Sequence, residues 1–280
     1  MGKFKLQSAM EYLMTYGWAI LIIAVVLGAL FGLGFFNSGF LTPKVGPGAC
    51  QIYRPYGPGT SAHATAQGTC TNGEPQAVAQ FSPLTNGNVL VTGMPVSSEW
   101  TVMFWMFPRN PPGLTSSTPA GVFSFGSASD YIGFSSSSTF GVNGATGVSS
   151  TQSLYNTWSF VAVTYNGVST AVYVDGAQTN GNAGSITPNS IIYIGSIDGA
   201  GGDSFNGLIS NVQYYNASLA PAEITAMYHS GIGVVPQLAN NLVGWWQLNS
   251  NANDYSGNQQ SGVSTAVVYT NSWESGYTAP

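Results

Sequence analysis

From Tyr12 to Phe36 the chain is almost continuously apolar and carries no charge. Few structures accommodate such a run. About 20 apolar residues suffice for a helix to cross a bilayer. A cleaved secretory leader would have a shorter apolar core followed by a small-residue cleavage site. Here the run is longer, and no clean A-x-A site follows it. Lys3 and Lys5 precede the run and would stay on the cytoplasmic side, which puts the bulk of the chain, after Lys44, outside. One carboxylate, Glu11, stands at the border. A charge at the edge of a membrane helix is costly and is usually functional; the plainer reading is a charge held at the headgroup boundary.

The remainder of the chain is unusually poor in charge. Only 5% of residues are charged, and the formal net charge is −5. The polar surface must therefore be built from Ser, Thr, Asn, Gln and Gly, as is common in extracellular proteins. Nucleic acid is excluded as a partner, because binding it needs clustered Lys and Arg and the chain holds five in all. Two cysteines, Cys50 and Cys70, sit in a Gly/Pro-rich stretch with little core to bury them. An even count in an exported chain points to a disulfide, worth roughly 3 kcal/mol for a loop of this size. Two buried thiols are the alternative.

The stretch "KLQSAMEYLMTYGWAI" resembles the N-terminus of archaeal type IV pilin-like precursors with a class III signal peptide. The resemblance covers about the first 35 residues, with Lys5, Gln7, Ser8, Glu11 and Tyr12 in register. It implies that a prepilin peptidase removes the leader 1–6 by cutting between Leu6 and Gln7. Glu11 would then be the fifth mature residue, able to pair with the terminal amine of a neighbouring subunit. The mature segment 7–36 would form a helix about 45 Å long. Apolar on all sides, it must be surrounded by lipid and later by copies of itself. Ala24, Gly28 and Gly32 recur at four-residue spacing, which lets helix backbones approach closely; ordinary membrane-helix glycines would look the same. The expected partners are identical subunits in a helical filament and the pilus assembly machinery, with the membrane as the site before assembly.

Residues 37–80 read as a linker, because Gly and Pro at this density mark turns. Beyond it, short runs such as "EWTVMFWMF", "GVFSFG", "TWSFVAVTY" and "IIYIGS" are rich in β-branched and aromatic residues and separated by turn residues. This pattern predicts an all-β sandwich or barrel over 81–280. Asn166-Gly167 and Asp175-Gly176 predict hairpin turns, since both residue types tolerate positive φ. "ASLAPAEITAMYHSG" predicts one short helix, with Pro221 in its first turn and Gly231 at its end.

"WSFVAVTYNGVSTAVYVDG", "IYIGS" and "FNGLISNVQYYNASLAPAEITAMY" together resemble the laminin-G-like, concanavalin A-like jelly-roll family over roughly 81–228. The resemblance implies a lectin-like sandwich, and with it glycans as possible partners. The segment 242–263, "LVGWWQLNSNANDYSGNQQSGV", resembles the opening of such domains but comes last. It can close its own sandwich as a permuted first strand, begin a truncated second copy, or fill a neighbouring subunit. Permutation is the favoured reading, and it predicts that Trp245 and Trp246 point to opposite faces of one strand.

Glycosidases of this fold need two carboxylates flanking the scissile bond. The acids of the outer domain are scattered and no E-x-D-x-E motif occurs, so no catalytic residue is expected. No cofactor is required either. Asp198 and Asp203 in "SIDGAGGDSF", and Asn253 and Asp254 in "NSNANDYSGN", offer oxygens of the kind Ca2+ takes. The same residues are what turns use, and turn chemistry is the favoured reading of both loops. Asn216 in "NAS" is an acceptor pattern for N-glycosylation, expected at the surface of an exported protein. The whole reads as a filament subunit at the cell surface that displays a lectin-like domain for adhesion; the alternative is a single-pass anchored glycan-binding protein that never polymerises.

Overall fold

The computed structural model describes residues 16, 18–28, 51–53, 65–67, 75–109, 120–135, 140–142, 154–179, 186–200, 203–233, 235–278 and 280. They belong to two compact units, Met1–Lys44 and Val45–Pro280.

In the first unit, residues 18–28 are helical (α1) and every one is exposed. Trp18 is 72% exposed, and Ile20, on the opposite face, 67%. The helix thus has no apolar face reserved for its own fold. Ala24 and Gly28 lie on it, and a Cβ added at Gly28 would meet nothing. Among the described residues no helix is long and apolar enough to cross a membrane. The expected helix over 7–36 extends beyond them at both ends, and Leu6, Gln7, Glu11, Gly32, Cys50 and Cys70 lie outside them.

The second unit is a β-sandwich. A two-stranded ladder of β1 (Gln51–Tyr53) and β2 (Thr65–Gln67) precedes it in the chain. Its strands in chain order are β3 (Val78–Phe81), β4 (Asn88–Thr92), β5 (Trp100–Pro108), β6 (Ala120–Ser124), β7 (Tyr131–Phe134), β8 (Phe140–Val142), β9 (Ser159–Tyr165), β10 (Thr170–Val174), β11 (Ala177–Gln178), β12 (Ile191–Ile194) and β13 (Gly207–Tyr215). The helix α2 (Pro221–His229) follows, then β14 (Leu242–Trp246), β15 (Val263–Thr265) and β16 (Val268–Thr270). One sheet runs β11-β10-β9-β5-β13-β3-β16, and the other runs β15-β4-β12-β6-β7-β8. All named ladders are antiparallel.

Strands β5 and β13 are buried on both faces, which is why "WTVMFWMF" does not alternate with polar residues. Trp100, Val102, Phe104 and Met106 enter the core between the sheets. Met103 and Trp105 enter a second core on the outside of the larger sheet, beneath α2. Pro221 begins α2, and the Glu223 carboxylate accepts the Ala220 N–H at 2.7 Å, satisfying a donor the helix leaves open. Ile224 and Met227 are its buried residues. Gly231, at φ 82°, follows the last turn as expected. The expectation of one short helix is met by α2; α1 is a second.

The C-terminal strands pair within this chain's own sandwich. β14 lies against one half of β13, and β3 lies against the other half on the same edge. Trp246 enters the core between the sheets and Trp245 the outer core. The indole N–H of Trp273 donates to the Pro75 carbonyl at 2.9 Å, which ties the end of the sandwich to its beginning. One hairpin differs from expectation. Asp175 (φ 51°) and Gly176 (φ 77°) form the tight two-residue turn, with Val174 opposite Ala177. At Asn166-Gly167 the flanking strands pair from Tyr165 and Thr170, leaving a four-residue loop, 166–169. There only Gly167 has positive φ, while the Asn166 side chain accepts the N–H groups of Val168 and Ser169. The short amide side chain closes the turn that the backbone alone would otherwise close.

Trp246 is fully buried between the sheets. Trp246→Ala in the full chain is expected to cost about 3–5 kcal/mol in urea unfolding, whereas Val263→Ala, at an exposed site, should stay within about 0.5 kcal/mol.

Candidate functional site

The outward face of the smaller sheet is the surface on which the candidate residues meet. Ile132 and Phe134 of β7, Phe140 and Val142 of β8, and Ile192 and Ile194 of β12 point into the core. The residues between them point outward. In register across neighbouring strands, Leu90, Tyr193, Ser124 and Tyr131 form one outward row. Gly121, Gly133 and Gly141 form the next. The glycine row forms a bed without side chains, and all three glycines are buried. It is required at Gly133, where a Cβ would run into the Ala120 carbonyl oxygen of the paired strand.

A loop folds back over this bed. After Ile194 the chain turns at Gly195 (φ 80°), whose α-carbon lies against the Phe81 ring. Ile197 then packs onto Gly121, and the Ser124 hydroxyl donates to the Ile197 carbonyl. Gly199 lies against the ring of Tyr193. On its return the chain docks again, as the Gly121 N–H donates to the Asp203 carbonyl at 3.0 Å.

Within the loop Asp203 organises the turn. Its carboxylate accepts the Ser196 hydroxyl at 2.8 Å and the Asp198 N–H at 3.2 Å. The Asp198 carboxylate in turn accepts the Ala200 N–H at 2.8 Å and is exposed. Burial, and next the adjoining carboxyl of Asp198, hold the Asp203 carboxyl above its ordinary range. Tyr193 is half-buried and Tyr131 buried, and desolvation raises the Tyr131 phenol. The result is a buried glycine row covered at Gly121 by Ile197, beside which the half-buried Tyr193 and the adjoining Asp198 and Asp203 reach the surface. Aromatic faces offer apolar area and carboxylates accept hydroxyl or ammonium protons, which suits a flat ligand rich in donors.

Asn253 and Asp254 are not part of this arrangement. Asp254 accepts the N–H groups of Trp245 (2.9 Å), Ser256 (2.8 Å) and Gln260 (2.8 Å), together with the Ser256 hydroxyl (2.8 Å). Asn253 donates its N–H to the Asn251 side chain at 2.9 Å. Asn258 donates to the carbonyls of Leu242 and Val243. These bonds fasten the loop to β14, so its polar side chains serve turn chemistry. Register also separates the two loops. The Asp198 loop leaves β12 beyond Ile194, which pairs with Val89, whereas Gln260 reaches toward Gly93 past the other end of β4. Among the described residues no three His, Cys, Asp or Glu side chains come together as metal ligands. Asn216 is exposed just after β13. Tyr131, Tyr193 and the glycine row escape sequence reasoning, although "GVFSFG", "YIGFS" and "IIYIGS" each carry a glycine beside the residues that fill the core.

Residues 80–225 match the model of the concanavalin A-like lectin/glucanases superfamily. Among solved structures, a candidate carbohydrate binding protein from Bacteroides ovatus is similar at 16% identity and a TM-score of 0.52, over 74% of this chain and 66% of that one. The native heptameric SAP-like pentraxin of Limulus polyphemus is similar at 16% identity and a TM-score of 0.47, over 70% and 94%. Domain 4 of the extracellular arabinanase AbnA from Geobacillus stearothermophilus is similar at 17% identity and a TM-score of 0.40, over 51% and 72%. At these identities the likeness is one of fold. No curated protein matches the chain.

A carboxyl whose pKa is raised by folding holds its proton more tightly in the native chain than in the unfolded one. The native state therefore gains relative stability as pH falls through the raised value and is penalised above it. The melting temperature of Asp203→Asn minus that of the parent should accordingly be larger at pH 7 than at pH 4, as read by scanning calorimetry across that range.

Proposed function

Because the chain belongs to the concanavalin A-like lectin/glucanases superfamily through residues 80–225, we propose that its sandwich is a glycan-binding module displayed outside the cell on the N-terminal apolar segment. The observation that carries this reading is the half-buried Tyr193 on the outward side of the smaller sheet, beside the loop of the exposed Asp198 and of Asp203. A sugar ring has an apolar face to lie on a tyrosine and hydroxyls to donate to carboxylates. The fold of the Bacteroides ovatus protein accords with this reading.

Binding is preferred to hydrolysis on geometric grounds. A glycosidase needs its two carboxyls roughly 5 Å or more apart, one on each side of the scissile bond. Asp198 and Asp203 are instead held in one turn, the Asp203 carboxylate accepting the Asp198 N–H, and Asp203 is committed to Ser196 and to the loop backbone. Were Ca2+ bound here, Asp198 and Asp203 would supply two of its oxygen ligands. Asn216 is exposed, as a glycan acceptor must be.

The manner of display follows from the N-terminal segment. Its helix 18–28 is apolar and exposed on all sides, as expected of an element that lies in lipid or among its own copies. We infer a pilin-like subunit, cut by a prepilin peptidase between Leu6 and Gln7. It is held in the cytoplasmic membrane until it assembles through Glu11 and the Ala24, Gly28, Gly32 face. The Cys50–Cys70 disulfide then stiffens the linker outside the cell.

A glycan array probed with the full chain in detergent tests the first reading. Tyr193→Ala should weaken binding by about 10-fold, the loss of one good stacking contact of about 1.4 kcal/mol. Binding unaffected by Tyr193→Ala, or no binding to any glycan, would discard this surface. For display, N-terminal sequencing of material sheared from cells should begin at Gln7; a start anywhere else, or protein found only in the membrane, favours a simple anchor.

A further inference from the structure

Among the described residues an Asn precedes a Gly at three places, Asn86-Gly87, Asn166-Gly167 and Asn206-Gly207. Such a pair is chemically reactive, because a glycine without Cβ lets its amide nitrogen approach the Asn side-chain carbonyl. The fold treats the three pairs differently. At the first, the Gly87 N–H is committed to the Ser82 carbonyl at 3.3 Å. At the last, Gly207 is buried in β13, opposite Phe81 of β3 and Pro108 of β5.

The β9–β10 loop is the exception. Residues 166–169 are all exposed. The Asn166 side-chain oxygen accepts the Val168 N–H at 3.0 Å, the Ser169 N–H at 2.8 Å and the Ser169 hydroxyl at 3.4 Å. The Asn166 N–H donates to the Ser169 carbonyl at 3.3 Å, and the Gly167 carbonyl accepts the Tyr165 hydroxyl at 3.0 Å. Of the loop's backbone N–H groups, only that of Gly167 donates to no described residue. The donors gathered on one amide oxygen polarise its carbonyl and stand where an oxyanion hole would hold developing negative charge.

We propose that Asn166 is a self-modifying site, at which the loop promotes deamidation through a cyclic imide. The Gly167 amide gives its proton to water or hydroxide, and its nitrogen forms a bond to Cγ of Asn166. The carbonyl electron pair moves onto the side-chain oxygen, where the Val168 and Ser169 donors hold it. When the pair returns, the Cγ–Nδ2 bond breaks, and the nitrogen takes a proton from water and leaves as ammonia. Water then adds to either carbonyl of the imide ring and opens it, to aspartate or to isoaspartate. Nothing is oxidised or reduced, and water is the only co-reactant. The aspartate product keeps the turn, since a carboxylate accepts the same N–H groups more strongly. The isoaspartate product reroutes the main chain through the side-chain carbon. Either adds a carboxyl to a loop that lies against the Ser98 carbonyl, one residue from Glu99, so the extent of conversion records the age of the chain. The site belongs to the larger sheet and is independent of what the smaller sheet binds.

Peptide mapping by mass spectrometry tests the site, on the full chain held in detergent at mildly alkaline pH over a time course. The amide-to-acid mass gain should appear at Asn166 at least about 10-fold faster than at Asn86 or Asn206. In urea, where the loop donors are dispersed, that lead should vanish. Val168→Pro, which lacks one donor, should slow conversion at Asn166 by about 10-fold and leave Asn86 unchanged. The product should be a mixture of aspartate and isoaspartate, with Asn166→Asp as the chromatographic reference. Conversion at Asn166 no faster than at the other two sites in the native chain would overturn the proposal. So would a lead that persists in urea, since it would then come from the dipeptide and not from the loop; this arm decides even if the proline variant does not fold. A folded Val168→Pro that converts like the parent, or a product that is aspartate alone, would count equally against it.

Discussion

The sandwich depends on one pair of strands buried on both faces. β5 and β13 lie side by side in the larger sheet, and every other layer is laid against them. Their inward side chains meet the smaller sheet across a core of Trp100, Phe123, Phe125 and Tyr214, whose rings pack at centroid distances of 5.2–6.5 Å. Their outward side chains meet α2 and the C-terminal tail through Trp105, Tyr228 and Tyr277. Burial on both faces leaves backbone groups no recourse to water, so both edges of β13 must be paired. β5 takes one edge, and β3 and β14 share the other. The join falls where β13 is irregular, between Ser210 and Gln213. There Asn211 has positive φ, and its side-chain oxygen accepts the Trp245 indole N–H at 2.8 Å.

Much of this was legible in the sequence, for identifiable reasons. The apolar run of β5 does not alternate as a surface strand would, whereas β13 carries Ser210, Asn211 and Gln213 and its burial on both faces is not legible; Pro221, Glu223 and Gly231 bracket α2 by local chemistry. Asp175-Gly176 reads correctly because both φ angles are local properties. Asn166-Gly167 misleads because Asn can close a turn either by its own backbone or by its side chain, and the dipeptide does not distinguish them. The loop of Asn253 and Asp254 is legible as turn chemistry, since the D-x-S-G-N spacing satisfies its own hydrogen bonds.

The candidate site is harder to read, because it is made by register rather than by motif. Tyr193 and Tyr131 are far apart in the chain and fall in one row only because each pairs across to Ser124. Gly121, Gly133 and Gly141 line up for the same reason. A glycine in a short strand says that something comes close, but not whether it is backbone, a loop or a ligand. Here two answers hold at once: the Ala120 carbonyl approaches Gly133, and Ile197 covers Gly121. Asp198 and Asp203 are near in sequence, yet the burial that chiefly raises the Asp203 carboxyl, and the adjoining Asp198 that adds to it, depend on the fold of the loop between them.

The strand β3 has a mechanical meaning. It begins just after Pro75, where the preceding chain enters the sandwich, and it is gripped on one side by β13 and on the other by β16. Tension arriving along the chain from its N-terminal side pulls β3 lengthwise, so the hydrogen bonds of two ladders share the load at once instead of opening one by one. The Trp273 indole, bonded to the Pro75 carbonyl, stands at the point of entry like a clasp. A module hung by its N-terminal end is thus loaded in shear, the direction in which a β-ladder resists best.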